Sequence, residues 1–248
     1  MRKFFLKTPI DDYDLDTILQ MVSSEIRSNN TKIVVTPNLD HVVRNYRDEG
    51  LAAVYKKAWL SINDSSVIPL LALLQKVKIE HVNPGSDLTK IIFNSGLLKD
   101  SKVAVIGGET EDINYVMKTY GITNFSHYNP PMGFINDKDA TQQCANFVTA
   151  QSANITFLCV GSPQQEKLAE VISANSIDSG LLLCVGASLE FLSGKQQRAP
   201  MIFRKLRLEW FHRLIQNPRR LAVRYLVRCP KVLGYLLLEF LSKRNREG

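Results

Sequence analysis

The sequence predicts an α/β fold: a doubly wound, largely parallel, Rossmann-like sheet followed by a C-terminal, all-helical basic appendage. Short runs rich in β-branched residues alternate with longer amphipathic stretches, which indicates parallel strands joined by helical crossovers. After Pro200 the strand-like runs stop and only helical patterns follow. We therefore predict an α/β core at residues 1–195 and a helical appendage at residues 196–248.

Apolar runs and amphipathic stretches define the individual elements. The predicted strands are residues 32–36, 58–62, 102–106, 124–128, 155–160 and 181–185. The predicted helices of the core are residues 15–27, 39–47, 66–78, 88–97, 113–120, 138–150 and 164–174. Ligands of doubly wound sheets bind outside the carboxyl ends of the strands, so the loops after these strands form the candidate site.

Positive charge is concentrated in the appendage. The chain has 248 residues and a formal net charge of +7, but from Lys195 onward there are 14 Lys and Arg against 3 Asp and Glu. A mildly acidic core with a strongly basic tail predicts an anionic partner for the tail: a phospholipid surface, a nucleic acid or a diphosphate. The simpler interpretation is a solvated basic face.

Neither a metal site, a disulfide nor a membrane-spanning helix is predicted. None of the 4 cysteines forms a C-x-x-C pair, and no histidine cluster has zinc spacing. Asp-x-Asp pairs at residues 12–16 and 137–139 open helices, where acids complement the helix dipole. The apolar run at residues 232–241 contains Glu239 and is too short to span a bilayer. Residues 1–9 contain only a three-residue apolar stretch, so we expect no signal peptide there. We expect a cytoplasmic protein that needs no cofactor and touches a membrane only peripherally.

Two predicted strands end in glycine turns that suit a phosphorylated ligand. Gly161 begins the segment Gly161-Ser162-Pro163-Gln164-Gln165-Glu166, in which a helix start follows directly on a buried strand. Free N–H groups at a helix start attract phosphate, and a glutamine can bind a sugar or a uracil edge. Gly186 follows the next strand in the same way. The alternative is an ordinary turn between a strand and a helix.

Polar residues follow two other strands. Thr36-Pro37-Asn38 and Asn63-Asp64-Ser65-Ser66 each lie between a predicted strand and a predicted helix. Asn38 and Asp64 are good N-cap residues, and capping alone would explain them. The functional alternative is that both project into one crevice, where Asp64 takes the proton of an attacking hydroxyl as a general base.

Arginines dominate the appendage. Asn217 and Pro218 predict a helix start, after which arginines recur every four residues and share one face. Arginine keeps its charge and binds phosphate through paired N–H groups, so this face suits a diphosphate. The arginines concerned are Arg220, Arg224 and Arg228, with Arg198 and Arg213 nearby.

Several segments, taken in their order along the chain, resemble the WecG/TagA/CpsF family, which is glycosyltransferase family 26. The resemblance extends over nearly the whole chain. The segments that carry the resemblance are Thr36-Pro37-Asn38 with His41, Val160-Gly161-Ser162-Pro163-Gln164-Gln165-Glu166, Val185-Gly186-Ala187-Ser188, Arg198-Ala199-Pro200, Leu208-Glu209-Trp210, Arg213-Leu214, and Pro218-Arg219-Arg220 with Arg224-Tyr225. Members are bacterial inverting enzymes that move a sugar from a UDP-sugar to a lipid-diphosphate-linked acceptor. The resemblance implies a UDP-sugar donor, a polyprenyl-diphosphate-linked glycan acceptor, a role in surface polysaccharide biosynthesis, and contact of the appendage with the inner face of the cell membrane.

The resemblance also implies roles for single residues. Asp64 matches the family's proposed base, and Thr36 and Asn38 match pocket residues beside it. Arg213 and Arg220 match appendage arginines that reach the active site, where they would stabilise the leaving UDP without a metal. The implied substrate-binding residues are Gly107, Gly108, Gly161, Gln165, Gly186, Arg198 and Arg224.

One segment departs from the family pattern. The family commonly has Ala-Asp-Gly-x-Gly around the acid, whereas this chain has Asn63-Asp64-Ser65-Ser66-Val67. Losing both glycines changes which backbone conformations the loop can adopt. The donor sugar therefore cannot be copied from the mannosamine-transferring members.

Two other functional classes stay open at the level of sequence. Ile106-Gly107-Gly108-Glu109 resembles part of a dinucleotide fingerprint and suggests an NAD(P)-dependent oxidoreductase, although the third glycine is missing. A thermal-shift comparison of UDP with NAD distinguishes a glycosyltransferase from such an oxidoreductase. A basic adaptor for nucleic acid or membrane would bind with steep salt dependence and would tolerate Asp64→Asn. The glycosyltransferase interpretation has no nucleic-acid partner, and it leaves the oligomeric state open.

Overall fold

The computed structural model describes residues 1–28, 30–176, 178–196, 200, 203 and 209–247, with the backbone alone at residues 209, 213, 220 and 243–247. The strands in this part of the chain are β1 (Arg2–Phe5), β2 (Thr8–Asp11), β3 (Lys32–Val35), β4 (Leu60–Ser61), β5 (Val103–Ile106), β6 (Phe125–Tyr128), β7 (Ile155–Leu158) and β8 (Leu181–Cys184). Strands β1 and β2 form an antiparallel hairpin. The other six form one parallel sheet in the order β4-β3-β8-β7-β5-β6.

Helices connect the strands of the sheet. The helices of the core are α1 (Leu15–Glu25), α2 (Leu39–Arg47), α3 (Glu49–Lys57), α4 (Ile68–Ala72), α5 (Gly85–Asn94), α6 (Thr110–Thr119), α7 (Lys138–Gln151), α8 (Gln164–Asn175) and α9 (Ser188–Leu192). Short 3₁₀ turns follow at Leu73–Gln75 and Phe134–Asn136. This alternation along a parallel sheet confirms the predicted doubly wound α/β class.

The two faces of the sheet are covered by different helices. Strands β5, β7 and β8 are buried along their whole length, which explains why they are continuous apolar runs. Successive side chains of a strand point to opposite faces, so Leu183 packs with α1, α5, α6 and α9, whereas Leu182 packs with α3, α7 and α8. The central strands are therefore covered on both faces, whereas the edge strand β6 is only partly buried.

The strand and helix predictions are confirmed in position, with displaced ends. The largest displacement concerns residues 66–78, where α4 is short and the chain leaves its 3₁₀ turn at Lys76 with φ of 60°. Helix α5 begins at Gly85, three residues before the predicted start.

Three elements were not predicted from the sequence: helix α3, helix α9 and the β1–β2 hairpin. Only Asp48 separates α2 from α3, and its side chain accepts a hydrogen bond from the N–H of Leu51. The β1–β2 hairpin lacks a glycine turn. Arg2 binds its cross-strand partner Asp11 at 2.7 Å and the distant carbonyl of Ala58 at 2.8 Å. Patterns of neighbouring residues in the sequence do not predict such contacts.

In the part of the appendage that the structure describes, the elements are helices, as predicted. The described elements are α10 (Glu209–Gln216), α11 (Pro218–Ala222), a π-helical turn (Val223–Arg228) and α12 (Lys231–Glu247). Asn217 and Pro218 precede and begin α11 as expected, but without a side-chain capping bond, and Pro230 separates the π turn from α12. Val232 and Leu236 of α12 join a core cluster with the β1–β2 hairpin, α2 and α4. The boundary at residue 195 stays a prediction.

Candidate functional site

A polar cleft of about 630 Å³ opens at the carboxyl ends of the central strands, where parallel sheets bind ligands. Its walls come from the loops after β3, β4, β7 and β8 and from the appendage. The cleft brings together these residues singled out in the sequence: Thr36, Asn38, Asp64, Gly161, Gln165, Gly186 and Arg224. Segments far apart in the chain therefore converge on one site.

Asp64 is held by backbone groups on both sides. Its N–H donates to the carbonyl of Pro37 at 2.9 Å, and its Oδ1 accepts from the N–H of Gly85 at 3.2 Å. Gly85 is the first residue of α5, so the half-buried carboxylate lies at the positive end of a helix dipole. The start of a helix stabilises a nearby negative charge, and a general base acts as its anion.

The loop around Asp64 does not need glycine. The N–H of Ser65 donates to Asn63 Oδ1 at 3.0 Å, and the N–H of Val67 donates to Ser65 Oγ at 3.3 Å. None of residues 63–67 adopts a positive φ. Side-chain bonds from Asn63 and Ser65 therefore hold the turn in a backbone conformation that any residue can adopt.

Thr36 and Asn38 line the same wall. Thr36 Oγ1 donates to the carbonyl of Cys184 at 3.0 Å and ties the end of β3 to the end of β8. Asn38 Oδ1 accepts from the N–H groups of Asp40 and His41, so the predicted N-cap exists. Asn38 therefore both caps α2 and lines the cleft.

A second, apolar cavity of about 360 Å³ adjoins the cleft. It lies between the loop after Asp64, α4 and the appendage, and its apolar lining is Leu39, Val67, Leu71, Trp210, Cys229, Pro230, Val232 and Leu233. Asn38, Asp40, Asp64, Arg224 and Tyr225 line both spaces. Asp64 therefore lies where a polar cleft meets an apolar cavity.

An arginine cluster surrounds one buried acid. Asp40, 3% exposed, lies 3.1 Å from Arg44 on its own helix, and 3.6 and 3.5 Å from Arg224 and Arg228 of the appendage. Three cations around one carboxylate leave an excess of positive charge within this cluster. Such a cluster anchors the appendage and suits a diphosphate. Asp40 and Arg44 were not singled out in the sequence, although their spacing of four on a helix is a usable signal.

Several predicted site residues are placed elsewhere or lie outside the description. Gly107 and Gly108 are not among the residues lining these two cavities, and a Cβ on Gly107 would meet Val160 Cγ1 at 2.7 Å. Close packing against the end of β7 is therefore enough to explain Gly107. Arg198 and the side chains of Arg213 and Arg220 lie outside the described residues.

Gln165 is engaged by the protein. Its Oε1 accepts from the N–H of Gly186 at 2.9 Å, and its Nε2 donates to Glu166 at 3.0 Å. Gln165 lines the cleft, although only 2% of the residue is exposed. Its first role is to join the loops after β7 and β8.

Neither a metal cluster nor a membrane-spanning helix is found in the described part of the chain. No three His, Cys, Asp or Glu residues among those described come together as metal ligands. Within the same residues, no helix combines the length and the hydropathy needed to cross a bilayer. The Asp-x-Asp pairs serve structure: Asp14 caps α1, and Asp12 binds Lys3 at 2.5 Å.

Comparison with known proteins gives one family and a group of relatives. The model of the glycosyl transferase WecG/TagA/CpsF family matches residues 4–246. An N-acetylglucosaminyldiphosphoundecaprenol N-acetyl-beta-D-mannosaminyltransferase of Staphylococcus aureus strain MW2 is 26% identical over 220 residues, covering 85% of this chain and 84% of the relative. The enzymes of the same name from strains NCTC 8325 / PS 47 and MRSA252 give the same values. These matches favour the transferase over the oxidoreductase and the adaptor.

Proposed function

Because the chain belongs to the WecG/TagA/CpsF family of glycosyl transferases, we propose that it moves a hexose or N-acetylhexosamine from a UDP-sugar to a saccharide carried on a polyprenyl diphosphate. The transfer inverts the anomeric carbon and serves surface polysaccharide biosynthesis. The relatives from Staphylococcus aureus are named for N-acetylmannosamine transfer to an undecaprenol-linked acceptor. UDP-N-acetylmannosamine is therefore the first donor to test.

The observation that carries this proposal is the location of Asp64 at the junction of the two spaces. A sugar nucleotide needs a polar cleft with N–H donors, whereas the first isoprene units of a lipid need an apolar cavity. The reacting hydroxyl of the acceptor lies between these two parts. A carboxylate at the junction can reach it.

The donor occupies the polar cleft over the strand ends. Gly161 and Gly186 line it with positive φ values of 77° and 56°, which let the backbone approach a ligand closely. Helix α8 begins three residues after Gly161 and directs its N-terminal end toward this turn. We place the diphosphate of UDP here and not at Gly107 and Gly108.

Asp64 removes the proton from the acceptor hydroxyl as that oxygen bonds to the anomeric carbon. The bond from this carbon to the UDP oxygen breaks, UDP leaves with the electron pair, and the configuration inverts. The negative charge that develops on UDP is stabilised by Arg44, Arg224 and Arg228. In this proposal Arg213 and Arg220 add to the same positive field, and the transfer needs no metal ion.

An exposed apolar surface lies beside the cavity. We name it the leucine surface, and its residues are Leu70, Leu73, Leu74, Leu233, Leu237 and Leu238. Helix α12 contacts the 3₁₀ turn that follows α4, so the two groups of leucines adjoin. Leu233 also lines the apolar cavity. We propose that this surface rests on the inner face of the cell membrane, from which the prenyl chain enters the cavity.

A UDP-release assay tests the proposed function. The protein is incubated with a panel of UDP-sugars and a synthetic polyprenyl-diphosphate-linked N-acetylglucosamine, and release should depend on the acceptor. Asp64→Asn should lower kcat by about 100- to 10 000-fold, the usual contribution of a general base. The control is Asp16→Asn, which alters an exposed acid in the first turn of α1. Release that is equal in the two variants would refute the role of Asp64, and absence of release with every donor would refute the function.

A further inference from the structure

A chain of buried hydrogen bonds runs behind the cleft from one wall to the other. It begins at the loop after β8, where the N–H of Gly186 donates to Gln165 Oε1 at 2.9 Å. Gln165 Nε2 then donates to Oε1 of Glu166 at 3.0 Å. Glu166 is fully buried, and its second carboxyl oxygen has no hydrogen-bond partner among the described residues. Such a group costs stability, so a core selected only for stability would not retain it.

The chain continues from Glu166 to the opposite wall. The hydroxyl of Tyr55, also fully buried, donates to the same Oε1 at 3.0 Å. The Tyr55 oxygen lies 3.0 Å from His41 Nδ1, and His41 Nε2 lies 3.3 Å from Nδ2 of Asn38. Asn38 lines the cleft beside Asp64. Both ends of the chain therefore line the cleft.

When Glu166 Oε1 accepts from both Gln165 and Tyr55, the remaining donors and acceptors along this chain permit one arrangement. Tyr55 commits its proton to Glu166, so its oxygen is left to accept a proton from His41 Nδ1. A neutral imidazole carries one N–H, so Nε2 presents a lone pair and accepts from the Asn38 amide. Asn38 Oδ1 is meanwhile occupied by the N–H groups of Asp40 and His41. The Asn38 amide cannot rotate by 180° without losing the hydrogen bonds of both its oxygen and its nitrogen.

We propose that Glu166, Tyr55 and His41 are positioning residues that fix the Asn38 amide beside Asp64, with one N–H directed at an oxygen of the substrate. This inference rests on the proposed function, because the cleft must hold the sugar and the acceptor hydroxyl. A misplacement of about 1 Å can lower a rate by about 100-fold, so a rigid support is useful there.

Deleting the Tyr55 hydroxyl tests the chain. In Tyr55→Phe the His41 Nδ1–H loses its acceptor, the other tautomer becomes accessible, and its Nε2–H opposes the Asn38 amide. We expect kcat to fall on the order of tenfold to 100-fold, with the donor KM changed less than about threefold. The matched control is Tyr46→Phe on α2, a tyrosine that stacks on Tyr235 away from the cleft. An unchanged kcat in a folded Tyr55→Phe protein would overturn the proposal.

Conservative and disruptive changes at Glu166 separate positioning from packing. Glu166→Gln keeps an oxygen that accepts from both neighbours, and its kcat should stay within about threefold of the wild type. Glu166→Met fills similar space without an acceptor and should resemble Tyr55→Phe. Equal losses in both Glu166 variants would contradict a role that depends on this acceptor.

The tautomer of His41 is a measurement that should stay unchanged in Tyr55→Phe if Tyr55 had a purely structural role. With ¹⁵N-labelled histidine, of which the chain has 4, wild-type His41 should be neutral and protonated on Nδ1. In Tyr55→Phe the signals should indicate mixed tautomers. A wild-type His41 protonated on Nε2 would overturn the chain even if UDP release is observed. If the wild type releases no UDP, the proposed function fails, while the tautomer still decides whether the chain exists.

Discussion

Gly85 connects the base to the rest of the cleft. Its N–H binds Asp64 Oδ1, and a Cβ built on it would lie 3.1 Å from Thr36 Oγ1. That separation is tighter than normal packing allows, and Thr36 is itself bound to the carbonyl of Cys184. Glycine is thus favoured here by the close approach of a side chain and not by a positive φ.

Gly85→Ala should move the start of α5 or Thr36 by a few tenths of an ångström. We expect kcat to fall on the order of tenfold because the bond to Asp64 lengthens. Stability should change by less than about 1–2 kcal/mol, since overpacking is opposed by the helix preference of alanine. UDP release and urea unfolding measure the two effects. Gly50→Ala in the exposed part of α3 is the control, and an equal kcat in both variants would contradict the prediction.

His41 gives stability a dependence on pH. Burial, and then the charges of Arg44 and Arg224, lower the pKa of His41 well below its ordinary value. An unfolded histidine takes up a proton near pH 6.5, so below this pH the unfolded state binds more protons than the folded state. The free energy of unfolding should therefore fall as the pH drops, by up to about 1.4 kcal/mol per pH unit.

Urea unfolding between pH 7.5 and 5.5 measures this slope. His41→Gln should remove most of it, whereas His127→Gln, which alters a half-exposed histidine, should leave it in place. A slope that is identical in wild type and His41→Gln would mean that another group titrates.

At the scale of elements, α2 does more than connect two strands. Its first turn supplies Asn38 and Asp40, and its buried face packs against the hairpin and α12. Asp40 joins Arg44 of the same helix to the two arginines of the π-helical turn. Helix α2 is therefore the element through which the core holds the appendage at the cleft.

Asp40→Asn should loosen this attachment. Removing the carboxylate leaves three arginines close together, and we expect stability to fall by about 1–3 kcal/mol, since the pairs are only partly buried. Limited proteolysis near residues 223–230 should become faster, and UDP release should fall on the order of tenfold. Glu49→Gln is the control, because its 89% exposed side chain pairs weakly with Lys7 at 3.7 Å. Equal proteolysis of the two variants would contradict the anchoring role.

At the scale of the whole molecule, the leucine surface, the apolar cavity and the arginine cluster lie in succession along α12 and the π turn. This order matches a lipid diphosphate, with its chain in the bilayer and its charge over the cleft. Apolar burial and attraction to anionic lipid would act together in holding the protein at the membrane.

Cosedimentation with vesicles of phosphatidylglycerol and phosphatidylcholine tests this arrangement. Leu73→Glu with Leu237→Glu should lower the bound fraction at least about tenfold, because each change places a charge in the interface. The control is Tyr115→Glu on α6, a 57% exposed apolar residue that lies outside the leucine surface. Equal binding of both variants would place the membrane contact elsewhere.

The sequence by itself determined the doubly wound class, the positions along the chain of the six strands of the sheet, the helical character of the described appendage and the membership of the family. Each of these depends on local periodicity or on motifs read along the chain. The loops that line the cleft were also found in this way, because ligands of parallel sheets bind at the strand ends.

Only the tertiary structure decided which of those residues meet. Asp40 among three arginines, the chain from Asn38 through His41 and Tyr55 to Glu166, and the apolar cavity beside Asp64 all join segments distant in sequence. The β1–β2 hairpin was missed for the same reason, since its stability comes from Arg2 and Asp11 docking on β4. Local patterns encode the faces of strands and helices, whereas a site depends on distances between them, which packing alone sets.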